Sequence, residues 1–153
     1  MPATPASSPN AYLRTKVLTA SPAELRLMLL DGAIKFAEQS RTALEQRDYE
    51  GLYVAITRCQ NIVMELINSL KPEHDPDLCE RLSSLYTYIY TRLVSASTER
   101  DPQLIAEAIG LLRFERETWV MLMSRLVPDA PSPAAGQVEQ AVAAKAGTLS
   151  LKG

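Results

Sequence analysis

Apolar residues recur at helical spacing through four long segments, and each segment opens on a recognisable start signal. Ser21 is a good N-cap, Pro22 suits the first helical position, and Glu24 can reach back to close a capping box. Asp48, Asp75-Pro76 and Asp101-Pro102 open the next three segments, and Val127-Pro128 closes the last. In the second segment Leu52, Ala55, Ile56, Cys59, Ile62, Val63, Leu66, Ile67 and Leu70 follow the i, i+3, i+4 rule. Leu78, Leu82, Leu85, Tyr86, Ile89, Leu93 and Ala96 do the same in the third. Ile105, Ala108, Ile109, Leu112, Trp119, Leu122, Met123 and Leu126 line one side of the fourth. Arg116 falls on that last stripe, where a charge needs a partner or a place at the margin, because an unpaired buried charge is costly. Nothing alternates as a strand would. The pattern predicts an all-α chain whose helices run about 22–25 residues, or roughly 33–38 Å. Similar lengths and short links favour an antiparallel up-down four-helix bundle.

The first helix departs from the single stripe that one core requires. Leu25, Leu27, Met28, Leu29 and Leu30 place apolar side chains on almost every face of its first turns. It must bury more than one side, within the fold or against a partner. The tyrosines add to this surface. Tyr49 and Tyr53 are four apart on the second helix, Tyr86 and Tyr90 are four apart on the third, and Tyr88 points nearly opposite. Such rings either sit at the core margin with wet hydroxyls or line a groove that takes an amphipathic helix. Spacing alone does not choose.

The ends differ from the middle. Residues 1–18, with Pro2, Pro5 and Pro9 among Ser and Ala, read as a flexible N-terminal arm. Residues 19–127 form the bundle domain. Residues 128–153, with Pro128, Pro131 and Pro133, read as a disordered Pro/Ala-rich tail.

Composition narrows the function classes. At 153 residues the chain suits one domain with a sizeable core. A net charge of −2 with no Lys/Arg run argues against a nucleic-acid or anionic-membrane surface. No apolar run approaches the roughly 18 residues that span a bilayer. Met1–Asn10 lacks the pattern of a secretory signal, so a cytoplasmic location is expected. Cys59 and Cys79 read as buried reduced thiols, since two cysteines without further ligands make no metal site.

Catalytic chemistry finds no support in the residues. The single histidine, His74, lies in a Pro-bounded link, whereas a phosphoacceptor histidine of a helical phosphotransfer domain sits mid-helix. A di-iron bundle needs Glu-x-x-His pairs on facing helices, which one loop histidine cannot supply. No glycine-rich phosphate loop is present. Neither a catalytic set nor a cofactor or metal site is expected.

The residues do resemble a family. Tyr12, Ala20-Ser21-Pro22, Leu29-Leu30-Asp31-Gly32-Ala33, Ala55-Ile56, Arg58-Cys59-Gln60-Asn61-Ile62, Leu82-Ser83-Ser84-Leu85-Tyr86, Tyr90-Thr91-Arg92-Leu93, Ile109-Gly110-Leu111-Leu112 and Arg116-Glu117-Thr118-Trp119 occur in joint order. Over about residues 12–126 this resembles the FliS family of flagellar secretion chaperones. Leu30 stands where the family commonly has Tyr, and Cys59 where Ala is more usual. The resemblance implies a cytosolic chaperone without catalysis. It would bind the C-terminal segment of flagellin, prevent premature polymerisation, and hand the client to the flagellar type III export apparatus. It further implies that Tyr12 anchors a lid formed by the arm. Ile56, Val63, Tyr86 and Tyr90 are the candidate flagellin contacts. Asp31, Gly32, Ala33, Arg116 and Trp119 form a structural motif, with Gly32 and Ala33 permitting close helix packing. Excess apolar surface would also allow a weak homodimer. The competing expectations are another small helical-bundle secretion chaperone and a phosphotransfer protein.

Overall fold

The helix starts are built by side chains that satisfy otherwise unpaired backbone N–H groups. Glu24 N donates to Ser21 Oγ at 3.2 Å, and Ser21 N donates to Glu24 Oε1 at 2.9 Å. This is the reciprocal pair of a capping box. Gly51 N donates to Asp48 Oδ1 at 2.9 Å, Leu78 N to Asp75 Oδ1 at 3.1 Å, and Gln103 N to Asp101 Oδ1 at 2.9 Å. The computed structural model describes residues 9–73 and 75–126. Its helices are α1 (Pro9–Thr19), α2 (Pro22–Glu45), α3 (Tyr49–Asn68), α4 (Pro76–Glu99) and α5 (Pro102–Leu126). No strand occurs among the described residues. The first eight residues of the expected arm, His74 and the expected tail from 128 onward lie outside the described residues.

α1 is an element that periodicity did not predict. Its apolar residues, Tyr12, Leu13, Val17 and Leu18, form no stripe, and all four are exposed. The helix buries none of its side chains. Its backbone is helical through local preference alone, and such helicity leaves no amphipathic signature.

Helix α2 packs on α3 and α5, and α4 packs on the same two helices. Between them lie Leu30, Leu52, Ile56, Val63, Leu66, Ile89, Leu93, Ile105 and Leu112, all buried. Each such side chain contributes about 1.5–3 kcal/mol when fully buried. On α2 the core positions are mostly alanine, at Ala23, Ala33, Ala37 and Ala43. Small residues let α2 come close to α3. A Cβ on Gly32 would stand 3.1 Å from Ile62 Cδ1, and the Cys59 thiol donates to the Ala33 carbonyl at 3.2 Å.

On the outer side of the α2–α5 seam Asp31 pairs with Arg116. Glu38 pairs with Arg113 across the seam and with Arg41 at 2.6 Å on its own helix. These pairs are partly exposed, so each is worth about 0–1 kcal/mol. Burial raises the Glu38 pKa, but hydrogen bonds from Arg41 and Arg113 outweigh it and leave the value lowered.

The crowded start of α2 resolves into distinct places. Leu30 is fully buried, while Leu27 and Leu29 are half-buried against the core. Leu27 and Met28 also line a cleft of about 230 Å³ beneath α1, together with Lys16, Thr19, Glu24 and Asp31.

Candidate functional site

The outward groove between α3 and α4 carries more exposed apolar surface than a stripe facing one core would leave. On α3, Tyr49, Tyr53 and Met64 are exposed. Helical geometry turns them towards α4, because Cys59 and Val63 define the inward direction. On α4, Val94 is exposed and Tyr90 is half-buried on the flank that faces α3. At one end the Arg100 guanidinium lies 3.7 Å from the centroid of the Tyr49 ring and covers it. At the other end is an open cleft of about 390 Å³, lined by Ile67, Leu70, Pro72, Pro76, Cys79, Glu80 and Ser83. Tyr88 turns to the opposite flank of α4, where its hydroxyl donates to Glu107 of α5.

The sequence-derived candidates occupy different depths around this groove. Ile56, Val63 and Tyr86 lie in the core beneath it, Ile56 being only 1% exposed. Tyr90 lies at the groove itself. Tyr12 sits on α1, 67% exposed and away from the buried set. Met64 and Val94 were not singled out from the sequence. The signal that finds them is angular: each lies about one flank away from its helix's buried stripe.

A buried polar layer lies at the end of the fold where α2 begins and α3 ends. Arg26 of α2 is 1% exposed and sits between the Tyr86 and Trp119 rings, 5.4 and 5.6 Å from their centroids. Arg26 Nη2 donates to Tyr86 Oη at 2.6 Å, and Nη1 donates to Ser69 Oγ at 3.4 Å. Tyr86 Oη in turn donates to Glu115 Oε1 at 2.9 Å. One turn earlier on α2, the Ala23 carbonyl accepts from Trp119 Nε1 at 3.0 Å. Burial pushes the Tyr86 phenol pKa well up, so its hydroxyl remains a neutral donor. Arg26 was legible as part of the Ala23, Arg26, Leu30, Ala33, Ala37 stripe, but the apolar crowd on either side of it masked that spacing.

Among the described residues no group of three or more His, Cys, Asp or Glu could hold a metal ion. No helix among them is long and apolar enough to cross a membrane. The Cys59 thiol is driven up to about 12 by burial, which leaves it unreactive as a nucleophile.

Comparison with known proteins supplies the identity. The family model described as flagellar protein FliS matches residues 5–126. The flagellar secretion chaperone FliS of Bacillus subtilis (strain 168) is 35% identical over 110 residues, covering 72% of this chain and 81% of that protein. Its counterpart in Salmonella typhimurium is 34% identical over 119 residues, covering 74% and 88%. The counterpart in Campylobacter jejuni is 31% identical over 110 residues, covering 72% and 86%. A match spanning every described helix, on a chain with these caps and stripes, places it: the protein belongs to the FliS family of flagellar secretion chaperones.

Proposed function

We propose that this protein is a cytosolic export chaperone that binds the C-terminal segment of flagellin. It prevents premature polymerisation and hands the client to the flagellar type III export apparatus. The observation that carries the reading is the α3–α4 groove, where Tyr53, Met64 and Val94 remain exposed around the half-buried Tyr90. An amphipathic client helix needs this kind of surface, with apolar anchors at i, i+3, i+4 spacing. Covering it gains roughly 25 cal/mol per Å² of apolar area, offset by the cost of ordering the client. That balance suits a partner that must later be released. No covalent step is involved.

The supporting scaffold is an antiparallel up-down four-helix bundle of α2–α5. Along the α2–α5 seam, residue numbers rise on one helix as they fall on the other: Ala23 meets Trp119, Asp31 meets Arg116, and Glu38 meets Arg113. Ile56, Val63 and Tyr86 form the layer that supports the groove wall, and Tyr90 is the contact among the four sequence-derived candidates. The arm with Tyr12 serves as a lid. It departs from the end of the bundle where α3 closes, since Arg26 of α2 reaches Ser69 there. A weak homodimer in the absence of client would cover the same apolar surface.

Two measurements test the proposal. Full-length flagellin should be captured by the protein, and flagellin lacking its C-terminal segment should not; equal capture of both would sink the reading. Deleting residues 1–18 should leave the bundle folded and tighten client binding by removing the competing lid. Weaker binding at unchanged helicity would show that the arm itself holds the client.

A further inference from the structure

The polar layer around Arg26 does something the aliphatic core cannot. Most core positions of α2 are alanine, and those of α3 and α4, apart from Cys59, Cys79 and Tyr86, are Leu, Ile, Val and Ala at regular spacing. Seams of this kind tolerate sliding. A shift of one turn moves Leu52 to the place of Ile56, Cys59 to that of Val63, and Ile89 to that of Leu93, leaving apolar on apolar. Between α2 and α3 the close approach of Gly32 to Ile62 resists such a slide. Between α2 and α5 the outer ion pairs are partly exposed and weak. Helices α2 and α4 lie across the fold from each other and are not packed neighbours. Arg26 bridges them, because its guanidinium meets the Tyr86 hydroxyl at 2.6 Å.

We infer that Arg26, Tyr86, Glu115 and Trp119 act as a register lock. They select one alignment of α2 against α4 and α5 and exclude the slipped packings that the aliphatic seams would otherwise allow. A slide of one turn, about 5.4 Å, carries Arg26 out of reach of Tyr86 Oη and Ser69 Oγ. It also carries the Ala23 carbonyl away from the Trp119 indole. The slipped state then holds a buried guanidinium without these partners, which is far costlier than misplaced methyl groups. The layer therefore penalises wrong registers more than it stabilises the right one. A protein that keeps an apolar groove open to water gains from such a device, which adds to the Gly32–Ile62 contact and the outer ion pairs in holding the helices from sliding to cover that groove.

The test separates register from stability. In Arg26→Met/Tyr86→Phe, apolar groups of similar shape replace the bridged pair, and Glu115 remains free to turn to solvent. The variant should keep native helical circular dichroism and a thermal midpoint no lower than wild type by more than a few degrees. Amide exchange in the interiors of α2 and α4 should nevertheless speed up at least tenfold, with multiple signals or broadening for the Trp119 indole N–H. The single variant Tyr86→Phe keeps both rings around Arg26 but removes the hydroxyl bridge, and should show the same exchange change at smaller amplitude. A folded double variant with wild-type exchange and a single sharp indole signal overturns the inference. So does a double variant that unfolds while Tyr86→Phe keeps wild-type exchange, because the layer then supplies stability alone.

Discussion

Two glycines in similar helical settings should respond oppositely to the same substitution. Gly110 lies within α5, and a Cβ built on it meets nothing within 4 Å. An interior helical glycine is about 0.8–1.0 kcal/mol less favourable than alanine, chiefly through backbone entropy in the unfolded chain. With no contact to offset that gain, Gly110→Ala should stabilise by nearly the full amount. Unfolding entropy of about 2.1 cal/mol/K per residue over roughly 115 ordered residues converts this into a rise of about 4 °C in midpoint. Gly51, in the first turn of α3, is different. A Cβ there would stand 2.2 Å from Asp48 Oδ2, so the carboxylate that accepts from Gly51 N must move. Loss of an N-cap costs about 1 kcal/mol. This offsets the propensity gain, which is small so near a helix end, and Gly51→Ala should lower the midpoint. Thermal and urea unfolding of both variants, with unchanged urea slopes, gives the comparison. A lower midpoint for Gly110→Ala, or equal gains for the two, would refute the reasoning. Gly110→Ala also tests the proposed site: if the client binds on α3 and α4 as proposed, its affinity for flagellin should equal wild type.

Further outcomes follow from burial and charge. Ile56→Ala should destabilise by about 2–5 kcal/mol through the cavity it leaves, whereas Tyr53→Ala should stay within about 0.5 kcal/mol of wild type and weaken client binding, both read by urea titration and binding isotherms. The Glu24 pKa is lowered by the hydrogen bond from the Ser21 backbone, and that of Glu38 is lowered on balance by its arginine partners. Their folded pKa values lie below the unfolded ones, so this contribution is present above the ordinary glutamate pKa of about 4.3 and disappears as pH falls through the folded values. The midpoint should therefore drop between about pH 5 and pH 3, less steeply in Glu24→Gln, which removes one of the two titrating groups. Cys59 should resist a thiol reagent at pH 8 in the native protein and react on unfolding, as followed by mass spectrometry against a Cys59→Ala control.

What the sequence disclosed depended on how local its cause was. Helix starts are local: a serine or aspartate within three residues of the N–H that donates to it marks them, and Ser21, Asp48, Asp75 and Asp101 all stand where helices begin. The buried stripes of α3 and α4 are nearly as local, since a 3.6-residue period is enough to reveal them. Depth within a stripe is not. Ile56 and Val63 are as apolar as Met64, and only the placement of neighbouring helices decides which of them meets water. The Arg26 layer lay furthest from view because its members come from three helices and the C-cap of a fourth, with Arg26 and Trp119 lying 93 residues apart. Helix α1 was missed for the opposite reason: its helicity serves no core, so no pattern records it.

The capping box at the head of α2 has a mechanical consequence. Ser21 and Glu24 satisfy each other's backbone groups without help from α1, so α2 starts cleanly whether or not α1 is helical. The two helices meet at Ala20 and Ser21 as thermodynamically separate units. Amide exchange should change abruptly there, from near-peptide rates before Ala20 to rates set by global unfolding a few residues later. Residues 9–19 can thus change shape with whatever binds them while the start of α2 stays the same.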